Sequence, residues 1–322
     1  MIVIDDPNAF TQHRSADTYR DSRGCVATIG KFDGVHLGHQ LILDQLKAKA
    51  QELDLPALAI VIEPHPEEFF ASSPEKCPAR LSLIEEKLAR IESFDIDYAL
   101  VLRFDTQLSQ LSAQAYVQDI LIDGLGIAAF IIGDDFRFGH QRGGDFALLQ
   151  SEGQKHGFEV IESATYEHNG ERISSTYVRD CLQASDFALV EQLLGRPFSL
   201  AGEVIKGQQL GSQIGFPTCN IDPQRKRMPL LGVFACHAKL GDELIPAAVN
   251  IGFRPTVQAA GGALVEAHLL DYSGDLYGSH LELFFRAKVR DEMKFDSVDA
   301  LSAQLREDIA RVRELIIRPK QG

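Results

Sequence analysis

The residues best suited to chemistry lie in TIGKFDGVHLGHQ (28–40), where His36 and His39 stand three positions apart behind a glycine-containing loop. The apolar run before them reads as a strand ending at Gly30, and a helix is expected to begin near Gly38. Side chains three apart at a helix start point the same way. Gly34 and Gly38 let the backbone approach an anion closely, and a helix N-terminus adds N–H donors and the positive end of its dipole. Two imidazoles at such a place can donate hydrogen bonds to charge that develops on a transferring phosphate. A lone histidine reads as a cap or a packed core residue; strand, glycine loop, His-x-Gly-His and helix in succession point instead to a phosphate site.

A second group of candidates lies far along the chain. GEVIKGQQLGSQIGFPTCNI (202–221) carries Gly207, Gly211 and Gly215, which suit a loop around phosphates but form a weak signal alone. In LVEAHLLDYSGDLYG (264–278), strand alternation sets Glu266, His268 and Leu270 on one face and Val265, Ala267 and Leu269 on the other. Glu266 then projects away from an apolar face, where a carboxylate can take the proton of a hydroxyl attacking a phosphate. A solvated strand glutamate has the same pattern.

These residues need elements to position them, and the two halves of the chain read differently. In the first half, CVATIG (25–30), ALAIVI (57–62), YALVL (98–102) and AFIIG (129–133) are expected to be buried strands. Between them Ile42, Leu46, Ala50 and Leu53 recur at helical spacing, and Ser82 with Glu85 forms a capping box ahead of a helix through Phe94. This alternation predicts a Rossmann-like α/β domain with a parallel sheet, its ligands at the carboxyl ends of the strands near the switch point. From about Ser199 the runs SLAGEVI, GVFACHAKL, LIPAAVNIG, ALVEAHLL and SHLELFFRAKV are separated by Gly, Asp and Ser turns. They predict a mainly antiparallel β-barrel. A final helix carries Leu301, Leu305, Ile309, Val312 and Ile316 on one stripe. The division is expected within 186–198, giving domains 1–185 and 186–322, the second opening on the short helix DFALVEQLLG.

The His-x-Gly-His block resembles that of the nucleotidyltransferase superfamily, which includes class I aminoacyl-tRNA synthetases and small adenylyltransferases. With IEPHPEEFF (62–70), GDDFRFGHQRGGD (133–145) and RISSTYVR (172–179), the first half resembles the FAD synthetase module of bacterial bifunctional riboflavin kinases. Pro217-Thr218-Cys219-Asn220 resembles the Pro-Thr-Ala-Asn block of riboflavin kinases, with Cys219 for the usual Ala. NIGFRPTV (250–257) and the Glu266 strand fit the same pattern, so the resemblance covers nearly the whole chain. It implies phosphorylation of riboflavin to FMN in the C-terminal domain and adenylylation of FMN to FAD in the N-terminal one, with ATP as co-substrate, Mg2+ as cofactor and pyrophosphate released in the second step.

The resemblance also implies roles. His36 and His39 contact the ATP phosphates; Gly30, Phe32, Asp33, Gly34 and Gly38 belong to the same nucleotide block. Glu63 and His65 face that crevice from the second strand, and Asp135, Arg172, Ser175, Thr176 and Arg179 help hold nucleotide or flavin phosphate. FMN brings its own phosphate nucleophile, so this step needs positioning, charge neutralisation and magnesium in place of a strong base. In the barrel Glu266 is the catalytic base, and Thr218 and Asn220 ligate magnesium and nucleotide phosphate, as hard oxygen donors suit. Gly207, Gly211 and Gly215 belong to the nucleotide loop, where Ser212 stands in place of the usual basic residue and Lys206 compensates in part.

Composition narrows the alternatives. The 322 residues suit two domains. Against 46 Asp and Glu stand 32 Lys and Arg, a net charge of −14, which argues against a nucleic-acid surface. The five cysteines are scattered without a Cys-x-x-Cys pair, the usage of a reducing, cytoplasmic compartment. MIVIDDPNAF is not a signal peptide, and no apolar run approaches the roughly 18 residues of a membrane span. The expected partners are riboflavin, FMN, FAD and ATP, with no nucleic acid and no membrane; a weak homo-oligomer is left open. An adenylyltransferase for pantetheine phosphate or nicotinate mononucleotide would not need the Pro-Thr-x-Asn and Glu266 blocks. A tRNA synthetase would need a Lys-Met-Ser-Lys-Ser-like loop and a basic face. A non-catalytic flavin-binding protein would not need both constellations.

Overall fold

The apolar runs of the first half pair in parallel because the chain crosses back between them through helices, which also cover the sheet. The computed structural model describes residues 1–14, 24–206, 215–253 and 263–317. Its contacts separate two units, Met1–Pro78 with Ser82–Ser174, and Ala79–Leu81 with Ser175–Gly322. The first unit has strands β1 (Ile2–Ile4), β2 (Val26–Gly30), β3 (Ala57–Glu63), β4 (Tyr98–Arg103), β5 (Ala129–Gly133) and β6 (Glu159–Ser163) in one sheet, and a two-stranded hairpin β7 (Glu167–His168) and β8 (Glu171–Arg172). The sheet order is β1-β4-β3-β2-β5-β6, and every pairing in it is parallel. Its α-helices are α1 (Pro7–Arg14), α2 (Leu37–Leu53), α3 (Pro66–Phe70), α4 (Ile84–Glu92), α5 (Thr106–Gln110), α6 (Ala113–Ala115) and α7 (Phe146–His156), and a π-helical segment (Tyr116–Gly124) continues α6.

Successive strand residues serve opposite faces. Ala27, Ile29, Leu58 and Ile60 join Phe10, Tyr116 and Leu121 on one side; Val26, Ala59 and Val61 join Leu43, Leu46 and Ile91 on the other. The edge strands β1 and β6 escape the sequence pattern because an edge need not be apolar throughout: Glu159 and Glu162 of β6 are exposed. Three local expectations change. Leu43, Leu46 and Ala50 form the buried stripe of α2, with Ile42 at its margin, while Leu53 is 38 % exposed where the helix ends at left-handed Asp54. The capping box expected from Ser82 and Glu85 does not form: Leu83 is the N-cap of α4, its side chain has no acceptor, and only its N–H donates to Glu86 Oε2 at 2.7 Å. The Ser82 hydroxyl is engaged elsewhere, as acceptor for Gly34 N–H. The helix stops at Glu92, short of Phe94.

The second unit opens on α8 (Ser175–Gln183) and α9 (Phe187–Leu194), the latter capped by Asp186, whose carboxylate accepts Leu189 N–H at 3.0 Å. Six strands follow: β9 (Ser199–Ile205), β10 (Cys219–Asp222), β11 (Gly232–Leu240), β12 (Glu243–Phe253), β13 (Ala263–Leu269) and β14 (His280–Arg290). They close a barrel in the order β10-β13-β12-β11-β14-β9, antiparallel throughout. Leu200, Val204, Ile221, Val249, Val265, Ala267 and Leu283 are buried. Phe187 of α9 meets Phe234 and Phe285 at ring-centroid distances of 5.9 and 6.1 Å. The C-terminal helix (Val298–Ile317) lays Val312 against Ala235 and Leu270, flanked by Ile309, Leu315 and Ile316. Arg290 of β14 donates through Nε and Nη2 to Asp308 of this helix at 2.9 and 2.8 Å.

Candidate active sites

β2 is the strand from which the sheet grows both ways: β3 and β4 follow on one side, β5 and β6 on the other. The loop leaving its carboxyl end therefore opens at the switch point. That loop passes through left-handed backbone at Phe32, Gly34 and Val35 (φ 48°, 79° and 40°). Glycine adopts this without strain, and burial holds Phe32 and Val35 there. The buried Asp33 accepts Ser82 N–H at 3.1 Å, and Gly34 N–H donates to Ser82 Oγ at 2.9 Å. Two hydrogen bonds thus pin the loop to the segment that starts α4.

His36 is the N-cap of α2, and its Nδ1 accepts the His39 N–H at 3.4 Å. A neutral ring accepting at Nδ1 carries its proton on Nε2. His36 is 6 % exposed, and its ring stacks on His39 with centroids 3.7 Å apart and planes at 19°. Gly38 makes room for this, since a Cβ there would lie 3.2 Å from His36 ring atoms. Phe32 backs His39 at 5.2 Å, and a Cβ at Gly30 would stand 3.2 Å from the Phe32 ring. His39 Nδ1 is buried and has no hydrogen-bond partner among the described residues. Burial, with His36, Lys87 and Lys31 nearby, holds His39 well below the ordinary histidine range, so the ring is neutral near pH 7.

β3 delivers Glu63 and His65 to the same region. His65 is buried, stands at the N-cap position of α3 with no side-chain capping bond, and contacts Lys87 Nζ through Nε2 at 3.2 Å; Lys87 Nζ is 3.6 Å from Glu63 Oε2. Lys87 is missing from the sequence reading, although Ile84, Lys87 and Ile91 share a helical stripe on which a charge is out of place. Phe69, Phe70 and Phe104, at the carboxyl ends of β3 and β4, form an aromatic group with ring centroids 5.1, 5.4 and 5.8 Å apart. Phe70 is 67 % exposed. Arg172 Nη2 lies 2.9 Å from both Asp134 Oδ1 and Asp135 Oδ1. Ser175, Thr176 and Arg179 lie on α8, where Arg179 Nε donates to Ala79 O at 2.6 Å.

In the barrel, the register aligns Asn220 of β10, Glu266 of β13 and Asn250 of β12 in one row across three strands. Residues directly opposite share a face with Cβ atoms about 4.5–5.5 Å apart. That face is the outer one, because Val265 and Ala267 are buried on the other side of β13. Asn250 joins the site only through this pairing. His268 lies on the Glu266 face, and its Nδ1 is 2.7 Å from the Pro217 carbonyl, to which it must donate. Phe216 packs edge-on to the same ring at 6.1 Å. The Pro-Thr-x-Asn segment is thereby clamped to β13. Cys219 Sγ approaches Ala267 O at 3.4 Å, and burial pushes its thiol up to about 11. Gly215 has φ 86° with open space around it. Gly207, Gly211 and Ser212 lie outside the described residues, as does most of FRPTV.

No cluster of three or more His, Cys, Asp or Glu capable of holding a metal occurs among the described residues. Asn220 stands opposite Glu266 in the register, and Thr218 lies two residues before it in the Pro-Thr-Cys-Asn segment. A hydroxyl and an amide oxygen are neutral hard donors that fit magnesium, which keeps several waters and shares phosphate oxygens of its nucleotide.

Residues 18–177 match the family described as FAD synthetase, and residues 194–316 the riboflavin kinase family. A bifunctional riboflavin kinase/FMN adenylyltransferase of Pseudomonas fluorescens is 47% identical over 295 residues, covering 92% of this chain and 94% of its own length. The chain belongs to the bifunctional riboflavin kinase/FMN adenylyltransferase family. Another member, from Escherichia coli strain K12, is 44% identical over 292 residues, covering 90% of this chain and 92% of its own. A crystal structure titled macrolide-efflux protein, from Streptococcus pneumoniae, superposes with a TM-score of 0.79 over 97% of this chain and 98% of its own. At 24% identity that likeness is one of fold. No helix of the described residues is long and apolar enough to cross a membrane. As a riboflavin kinase/FMN adenylyltransferase, the enzyme phosphorylates riboflavin to FMN and adenylylates FMN to FAD, using ATP in each step and releasing pyrophosphate in the second.

Proposed function

We propose that adenylyl transfer is carried by His36 and His39 and riboflavin phosphorylation by Glu266. The observation that carries the first assignment is the stacked pair at the N-terminus of α2, with a buried His39 nitrogen that no described residue satisfies. A phosphate oxygen of FMN attacks the α-phosphorus of ATP, the bond to the bridging oxygen breaks, and pyrophosphate leaves. The Nε2–H of His36, the His39 ring and the first N–H groups of α2 donate to the charge that builds up on the leaving group. Gly34, Gly38 and the buried Asp33 shape that loop, Phe32 supports His39, and Gly30 makes room for Phe32. Asp135 shares Arg172 with Asp134 and so aims the guanidinium at phosphate, with Ser175, Thr176 and Arg179 as further polar groups of the RISSTYVR segment. Glu63 and His65 border the crevice, and the exposed group of Phe69, Phe70 and Phe104 offers a planar ring system an aromatic seat.

In the barrel, Glu266 takes the proton of the riboflavin hydroxyl that attacks the γ-phosphorus, and ADP leaves. The row of Asn220, Glu266 and Asn250 supports this reading. Thr218 and Asn220 would hold magnesium, which when bound neutralises phosphate charge; Gly207, Gly211 and Gly215 belong to the loop before them. The two activities divide between 1–185 and 186–322, a cut that leaves both matched family segments whole. Five free cysteines support a reducing, cytoplasmic setting. The test is incubation of His39→Ala and Glu266→Gln with riboflavin, Mg2+ and ATP, following FMN and FAD by chromatography. His39→Ala should accumulate FMN, and Glu266→Gln should make FAD only when FMN is supplied. Either variant failing in both steps while folded would defeat the assignment.

A further inference from the structure

Lys87 lies on the buried stripe of α4 between Ile84 and Ile91, and its side chain is fully buried (0 % exposed). An ammonium in that position is costly, whereas leucine or methionine would fill the stripe without penalty. The charge is therefore kept for something it does. Its Nζ sits 3.2 Å from His65 Nε2, and an ammonium presents only hydrogens. Nε2 must then offer its lone pair, which leaves the ring proton on Nδ1. A second proton on His65 would place two cations in contact within a buried site.

We propose that Lys87 is a positioning residue for adenylyl transfer, which fixes the tautomer of His65 and keeps the imidazoles of the site uncharged. The inference rests on the reading of His36 and His39 as the adenylyl-transfer pair. Neutral imidazoles donate single, directed hydrogen bonds to phosphate and release the product, where imidazolium ions would retain it. The charged and titratable groups around them come from every neighbouring element. Lys87 is on α4, Glu63 ends β3, and Glu67 and Glu68 are on α3. Lys31 and Asp33 are in the loop after β2, with Lys31 paired to Glu67 at 2.5 Å, and His36 precedes α2. Burial is the first influence against a positive His39 ring, and His36, Lys87, Lys31 and His65 act in the same direction after it.

The test uses the full-length enzyme labelled with 15N-histidine. At about pH 7.5, long-range 1H–15N couplings should show His65 neutral and protonated on Nδ1. Lys87→Gln keeps a donor for Nε2 but removes the charge; Lys87→Met removes both. In Lys87→Gln the titration midpoints of His39 and His65 should rise, and the acid limb of kcat/KM for FAD formation from FMN should move to higher pH. At about pH 7.5 its kcat/KM should fall on the order of tenfold, as when the partner that orients a metal-bound imidazole is lost. Riboflavin phosphorylation in the same samples should hold. In Lys87→Met the His65 ring should lose its single tautomer. Wild-type His65 protonated on Nε2 or on both nitrogens would overturn the proposal, whether or not any variant folds. So would a folded Lys87→Gln whose titrations and acid limb stay in place. If the titrations move while His36→Ala and His39→Ala retain FAD synthesis, the influence of Lys87 stands and the catalytic reading of the pair falls.

Discussion

His36 both caps α2 and stacks on His39, so its position is set by backbone geometry as well as by chemistry. Replacing either histidine with alanine should lower FAD formation by about 10²–10³-fold, the contribution typical of preorganised donors, while riboflavin phosphorylation persists. Gly38→Ala tests the same geometry without touching an imidazole. The added Cβ, 3.2 Å from the His36 ring, forces that ring to shift and should reduce FAD synthesis with little change in melting temperature. In the barrel, Glu266→Gln should lower kinase turnover by about 10²–10⁴-fold and leave FMN adenylylation intact, because an amide cannot accept the hydroxyl proton as a carboxylate does. Cys219 sits in the middle of the Pro-Thr-Cys-Asn block yet should resist alkylation. With its thiol pushed up to about 11, the thiolate is scarce at neutral pH. Iodoacetamide labelling followed by mass spectrometry should find it slow until the solution is strongly alkaline.

At the scale of elements, the phosphate loop is held from outside itself. Ser82 accepts Gly34 N–H and donates its own N–H to Asp33. Ser82→Ala leaves a buried N–H unsatisfied and should cost about 1–3 kcal/mol of stability in the first unit, with FAD synthesis falling further than the melting temperature alone accounts for. The C-terminal helix is tied to β14 by the forked pair of Arg290 with Asp308, and Gln304 also donates to Asp308 at 3.0 Å. Removing one partner of a buried pair strands the other, so Asp308→Ala should destabilise the barrel by about 3 kcal/mol, read by denaturant unfolding of the kinase half. The kinase row itself is a property of pairing. Asn220 and Asn250 reach Glu266 because both strands are in register with it, and a slip by one residue would send them to the opposite face.

At the scale of the molecule, the two activities should separate. A fragment of residues 1–185 should convert FMN to FAD and leave riboflavin untouched, and a fragment of 186–322 should make FMN alone, as followed by chromatography. Acid should strike the first unit through His39. Its folded-state pKa lies below the ordinary 6.5, so as pH falls beneath that value the unfolded chain binds more protons. The associated stability is complete above about pH 6.5 and drains away as pH drops toward the depressed value. Melting temperatures between pH 7 and 5 should therefore decline less steeply in His39→Gln than in the wild type. The sequence by itself determined the α/β-then-barrel order, the His-x-Gly-His loop and the alternation that sets Glu266 on the face opposite Val265 and Ala267, because periodicity and glycine placement are local properties of the chain. Only the tertiary structure decided which strands neighbour β2 and that Ser82 serves the loop in place of its own helix. It alone set Asn250 beside Glu266 and put Lys87 against His65. These depend on residues far apart in the chain coming within hydrogen-bond distance, and no local pattern records which distant partner a side chain will meet.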